Sequence, residues 1–148
     1  MSVSGAIAEI VAERWIERTL ESYPAEAHSL LSGELDPFRN PAGYAIKESL
    51  KTLACELLGE MDKMAIAAAL DALVRLRAVQ DFRPSDALRF IFDLRDVVTE
   101  VTGAPPQALE SRIDELALMA FDQYMACRHQ IAGLREKELR FRMQCAAR

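Results

Sequence analysis

The end of the chain limits its fold more than any other stretch, because residues 107–148 contain no proline and a single glycine, Gly133. A helix over these residues would be roughly 60 Å long at 1.5 Å per residue, which exceeds one face of a small domain. Residues recur along it at alternating steps of four and three, the period of a coiled-coil seam. The seam comprises Ile113, Ala117, Ala120, Tyr124, Cys127, Ile131, Leu134, Glu138, Phe141 and Cys145.

This seam predicts two roles for the two halves of the last helix. The first half, supplemented by Leu116, Leu118 and Phe121, should pack in the domain. The second half, from about residue 133 to residue 148, should project and pair with a copy of itself or with another chain. The alternative is a frayed helix on the surface. The candidate residues for a dimer or partner contact are Tyr124, Cys127, Ile131, Leu134 and Phe141.

The rest of the chain reads as five shorter helices, over about residues 3–22, 25–32, 41–58, 63–80 and 86–102. Prolines and glycines separate them, and the composition is 51% hydrophobic but only 7% aromatic. Because residues that favour strands are scarce, we predict an all-α helical bundle that forms one domain over residues 1–148. Asn40 should cap the helix that begins at Pro41, and Ser85 should cap the helix after Pro84.

Charge and cysteine content exclude several classes of protein. The net charge of −5 argues against a nucleic-acid binder, although five Arg and one Lys against two Glu give +4 from Arg128 onward. This basic end either meets an acidic partner or is a solvated helix end. Three cysteines, no signal peptide and no long apolar run predict reduced thiols in a cytoplasmic protein that does not enter a membrane.

The sequence shows no catalytic or metal-binding motif. The two histidines, His28 and His129, lack the spacing of metal ligands, and no glycine-rich phosphate loop or G-x-S-x-G sequence occurs. We therefore expect no enzyme activity, no catalytic residue, no metal and no cofactor.

Four stretches, in this order, resemble the N-terminal domain of the RsbT co-antagonist family of the RsbRD type. They are residues 36–43 (DPFRNPAG), 77–88 (RAVQDFRPSDAL), 111–114 (SRID) and 120–128 (AFDQYMACR). The resemblance implies a regulatory domain that precedes a STAS output domain in longer relatives and works with a serine/threonine kinase in the stressosome. It also implies a dimeric, globin-like fold without haem, whose last helix passes the signal onward. No phosphoacceptor residue carries over, because those residues belong to the STAS domain.

Two hypotheses about function follow. The first is a non-enzymatic sensory and interaction module of the stress-signalling type, which forms a homodimer and acts on STAS-domain or kinase-type partners. The second is a globin-like protein that binds a small ligand or a tetrapyrrole in a pocket lined by Phe90, Phe92, Met119 and Phe121. The lack of a well-placed histidine weighs against haem.

Overall fold

The computed structural model describes residues 3–33, 36–80 and 82–147, and these residues form six helices without a strand. The helices are α1 (Val3–Glu21), α2 (Ala25–Ser32), α3 (Pro41–Leu57), α4 (Lys63–Val79), α5 (Pro84–Thr102) and α6 (Gln107–Ala146). The prediction of an all-α protein with a long last helix is confirmed. Arg148, part of the predicted projecting end, and Asp81, part of one family-like stretch, lie outside the described residues.

The helix starts show which capping predictions hold. Asn40 caps α3 as predicted, because its Oδ1 accepts a hydrogen bond from the Gly43 backbone N–H at 3.0 Å. The predicted cap at Ser85 is wrong, since α5 begins one residue earlier with Pro84 in its first turn. Proline suits that position because its φ is already helical and its missing N–H is not needed there. Arg83 precedes the helix, and its Nε donates to Asp86 Oδ2 at 2.8 Å.

A single core cluster holds the helices together. α3 lies against α1 and α4, while α5 lies against α1 and α6. Trp15 of α1 is fully buried, and its Nε1–H donates to the backbone carbonyl of Phe90 in α5 at 2.7 Å. Ile16 and Leu20 are buried as well, so α1 is covered by its neighbours on more than one side.

α6 packs in the core along one side of its first half. Ile113, Leu116 and Ala120 are fully buried there. Leu118 and Phe121, however, are 70% and 54% exposed, so the prediction that they pack in the domain is wrong. A helix turns about 100° per residue, which places Leu118 nearly opposite Leu116 and away from the core. No helix in the described part of the chain is long and apolar enough to cross a membrane.

Candidate functional site

The second half of α6 carries apolar side chains that the described part of the chain leaves uncovered. Ile131 is the last side chain of α6 that packs against the core. Beyond it, Leu134, Leu139, Phe141 and Met143 are all at least 60% exposed. Two ion pairs at i,i+4 spacing, Arg140–Glu136 and Arg142–Glu138, support the helix here. This end is therefore a regular helix that offers apolar surface for contact with another chain.

The predicted partner residues fall into two groups. Tyr124 and Cys127 are buried in the protein's own core, at 1% and 7% exposure, so they are not available to a partner in this structure. Ile131 is half-buried, whereas Leu134 and Phe141 are exposed. All five share one side of α6, because the predicted seam continues the side that faces the core. Only the part of the seam beyond Ile131 is free for contact.

A second apolar line runs along the opposite side of α6, and we call it the α6 stripe. It consists of Leu118, Phe121, Met125, Ala132, Leu139 and Met143, all exposed. At about 100° per residue these positions fall within an arc of about 60°, and they span about 38 Å of the helix. His129 and Glu136 interrupt the stripe with polar side chains. The stripe shares no residue with the predicted seam, and Leu118 and Phe121, which begin it, were instead predicted to pack in the domain.

The α6 stripe begins beside a surface groove of about 720 Å³ between α5 and α6. Leu88 and Phe92 of α5 line this groove together with Leu118 and Phe121 of α6. Charged residues stand around it, among them Arg89, Asp93, Arg95 and Asp96. An apolar centre with a charged rim is typical of a protein interaction surface. The α5–α6 groove and the α6 stripe thus form one continuous candidate interface.

Two carboxylates of α5, Asp93 at the groove and Asp86 near the start of the helix, differ in their environment. Hydrogen bonding to Arg83 lowers the pKa of Asp86 below its usual value. Partial burial raises the pKa of the Asp93 carboxyl, although the nearby Arg18, Arg89 and Arg77 oppose that rise. The negative charge of Asp93 is therefore less well stabilised by its surroundings than that of Asp86.

The four residues predicted to line a ligand pocket are not brought together. Phe92 and Phe121 line the α5–α6 groove, but Phe90 is buried against Trp15, with ring centroids 6.1 Å apart. Met119 is half-buried against the core. His129 is exposed, and no group of three or more possible metal ligands occurs among the described residues.

These features define a class of protein: an all-helical module with an exposed apolar surface and a long terminal helix. The chain belongs to the family of the RsbT co-antagonist protein rsbRD N-terminal domain, which matches residues 9–139. The family assignment made from the four stretches is confirmed. Members of this family are regulatory modules related to partner-switching stress signalling, and the family is not a known enzyme family.

A relative of similar length occurs in an archaeon. An uncharacterized protein of Archaeoglobus fulgidus is 29% identical over 132 residues, which cover 86% of this chain and 82% of that protein. No solved structure matches the chain significantly.

Proposed function

We propose that the protein is a non-enzymatic sensory and regulatory module that dimerises through the α5–α6 groove and the α6 stripe. The observation that carries this proposal is that the exposed apolar positions of the stripe keep to one side of α6 along its length. The stripe begins in the groove at Leu118 and Phe121 and continues to Met143, beyond the part of α6 that packs in the core. Contact between two copies at the groove is thereby linked to contact at the end of α6.

The continuity of α6 suggests how a signal would travel. α6 is one helix of forty residues without an internal break, so a shift or rotation at its packed half is transmitted to its end. Membership of the family supports STAS-domain or kinase-type regulatory proteins as the partners that read this end. It likewise supports a cytoplasmic location. The ligand or tetrapyrrole hypothesis gains no support from Phe90, Phe92, Met119 and Phe121, because these residues do not share a cavity.

A homodimer built on this surface has the symmetry expected for such a module. Two copies related by a twofold axis bury the same residues on each subunit, so one apolar stripe suffices for a closed dimer. The charged residues around the groove then form the polar rim of the interface.

The double variant Leu118→Glu/Phe121→Glu tests the proposal. Charges in the centre of the surface should prevent association, because a buried, unpaired carboxylate is strongly unfavourable. Size-exclusion chromatography coupled to light scattering should give a molar mass of twice 16.5 kDa for the wild type and of 16.5 kDa for the variant. Circular dichroism should show an unchanged helix content, since both side chains are exposed in the single chain.

Two matched controls place the same change elsewhere. Leu30→Glu in α2 and Met64→Glu in α4 replace apolar side chains that are 77% and 84% exposed and lie outside the proposed interface. Both should remain dimeric. A monomeric wild type, or a dimeric double variant, would refute the proposed interface.

A further inference from the structure

A small cavity lies beside the corner between α4 and α5, at a distance from the core-facing side of α6. Its volume is about 280 Å³, and we call it the Arg77 cavity. Thr19 and Ser22 line it from the end of α1, Arg77 from α4, and Phe82 from the corner. Phe90 and Asp93 of α5 complete the wall.

The side chain of Arg77 is fully buried, which is unusual for an arginine. Its Nη2 donates to Ser22 Oγ at 3.2 Å, whereas Nε and Nη1 are buried without a hydrogen-bond partner among the described residues. Burial lowers the pKa of Arg77, but a guanidinium remains protonated in proteins. A positive charge is therefore buried with most of its donors unused, which is costly unless something binds them.

Three aromatic rings surround the guanidinium of Arg77. Its central carbon lies 4.8 Å from the ring centroid of Tyr23, 4.7 Å from that of Phe82 and 5.5 Å from that of Phe90. Such contacts stabilise the cation through the ring faces. These contacts compensate part of the charge, but they are not hydrogen bonds, and Nε and Nη1 have no hydrogen-bond partner among the described residues.

A second buried polar group in the cavity also lacks a partner. Thr19 is 1% exposed, and its Oγ1 makes no hydrogen bond within the described residues. Two helices thus bring unpaired polar groups of Arg77 and Thr19 to the wall of one cavity. Buried polar groups in proteins are nearly always satisfied, so this pair points to a missing acceptor.

We propose that the Arg77 cavity binds a small monocarboxylate with a short apolar body. One N–H of Arg77 Nη2 donates to Ser22, and the other N–H remains. Together with an N–H of Nη1 or Nε, it can donate to the two oxygens of a carboxylate. Phe82 and Phe90 provide an apolar wall for the rest of the ligand. The cavity of about 280 Å³ is slightly smaller than the roughly 300 Å³ at which pockets for drug-sized ligands begin, so it has room for a small ligand such as a short-chain carboxylate.

The surrounding charges favour a single negative charge on the ligand. Asp86 and Arg89 also line the cavity, and Asp86 is paired with Arg83 at 2.8 Å. Asp93 attracts the Arg77 guanidinium electrostatically without a contact short enough for an ion pair among the described residues, and its carboxylate repels additional negative charge. Phosphate and dicarboxylates should therefore bind less well than a monocarboxylate.

The test compares thermal unfolding of the full chain in sodium butyrate and in sodium chloride at equal ionic strength. Butyrate should raise Tm in a saturable manner, by about 5 °C at high excess, because it binds only the folded state. Butyramide, which has the same shape without the charge, should not raise Tm. Sodium phosphate at the same ionic strength is a further comparison. A rise in Tm in butyrate no larger than that in chloride, or a larger rise in phosphate, would overturn the proposal.

Three variants assign the effect to the cavity. Arg77→Met should abolish the shift, Thr19→Val should weaken butyrate binding at least several-fold, and Asp93→Asn should tighten it. If Asp93→Asn lowers Tm and does not tighten butyrate binding, Asp93 serves as the counter-ion of Arg77, and the proposed repulsion between Asp93 and the ligand is wrong. A butyrate shift that persists in Arg77→Met would refute the site.

Saturation-transfer NMR on the wild type gives a measurement that does not depend on a folded variant. Irradiation of the aromatic protons should transfer magnetisation to the butyrate methyl group and to a much smaller extent to butyramide. Equal transfer to both compounds would contradict recognition of the carboxylate. The monomeric Leu118→Glu/Phe121→Glu variant should still bind butyrate, since the cavity lies within one chain.

Discussion

Replacement of Arg77 by methionine tests directly whether the buried guanidinium lowers the stability of the fold. Methionine preserves most of the apolar stem of arginine and removes its charge and donors. Most substitutions of fully buried side chains lower the free energy of unfolding by a few kcal/mol. We expect the opposite for Arg77→Met in the absence of ligand, with a free energy of unfolding higher by about 1 kcal/mol.

The expected magnitude follows from three opposing contributions. The variant loses a charged hydrogen bond to Ser22, which contributes about 1.5–3 kcal/mol. It also loses contacts with aromatic rings, which contribute about 2 kcal/mol for a desolvated cation. It no longer pays the desolvation cost of a buried charge, which the attraction of Asp93 offsets only in part. The two losses amount to about 3.5–5 kcal/mol, so a net gain of about 1 kcal/mol corresponds to a desolvation cost of about 4.5–6 kcal/mol.

Urea denaturation followed by far-UV circular dichroism measures this difference. Arg75→Met is a matched control, because Arg75 lies on the same helix but is exposed, and it should leave the free energy of unfolding nearly unchanged. A loss of more than about 2 kcal/mol in Arg77→Met would show that the aromatic contacts outweigh desolvation. The view of Arg77 as a residue that awaits a ligand would then be refuted.

Three further substitutions test the fold around this region. Trp15→Phe should lower the free energy of unfolding by about 2–3 kcal/mol in urea denaturation, because it removes a hydrogen bond to Phe90 and leaves a void. Gly43→Ala should lower it by about 1–3 kcal/mol, since a Cβ there would collide with the carbonyl oxygen of Leu31. Burial raises the pKa of Tyr23 above 10.0, so its contribution to stability is complete below that pH and is lost at higher pH. Relative to Tyr23→Phe, the wild type should therefore lose stability as pH rises above about 10.

Matched controls separate these effects from general sensitivity to mutation. Gly33→Ala should be tolerated, because a Cβ there meets its neighbours only at ordinary contact distance. Tyr44→Phe alters an exposed tyrosine and should retain the wild-type loss of stability at high pH. Phe38→Leu changes a side chain that is 93% exposed and should leave stability unchanged. An equal loss in Gly33→Ala and Gly43→Ala would contradict the steric explanation.

Local signals in the sequence predicted the helices within two residues of their observed ends. Prolines, glycines and the cap at Asn40 act through neighbouring backbone atoms, so their effects can be read from adjacent residues. The misplaced cap at Ser85 shows the limit of this reasoning. Pro84 and Ser85 are both acceptable at a helix start, and the sequence alone does not decide whether the helix begins at Pro84 or after Ser85.

The candidate sites were harder to predict because they depend on which side of a helix meets the core. Tyr124 and Leu118 are both apolar residues of α6, yet one is buried and the other is 70% exposed. Arg77 shows the same difficulty more strongly, since arginine is rarely buried and nothing in its neighbours along the chain marks it. Its environment comes from α1, the corner and α5, which only the tertiary structure brings together.

The two sites share a helix and part of their lining. Arg89 and Asp93 line both the Arg77 cavity and the α5–α6 groove. A ligand that shifts these side chains would alter the edge of the dimer surface. By thermodynamic linkage, butyrate should then change the dimer dissociation constant, and dimerisation should change butyrate affinity by the same factor.

Oxidation of the natural methionines by hydrogen peroxide tests the proposed interface most directly, because it requires no substitution. Met143 of the α6 stripe and Met64 of α4 are 71% and 84% exposed in the single chain, so they should react at similar rates in a monomer. Mass spectrometry of peptides gives each rate as a function of protein concentration. We predict that Met143 becomes protected as concentration rises, while Met64 does not. Equal rates for the two residues at all concentrations would contradict association through the α6 stripe.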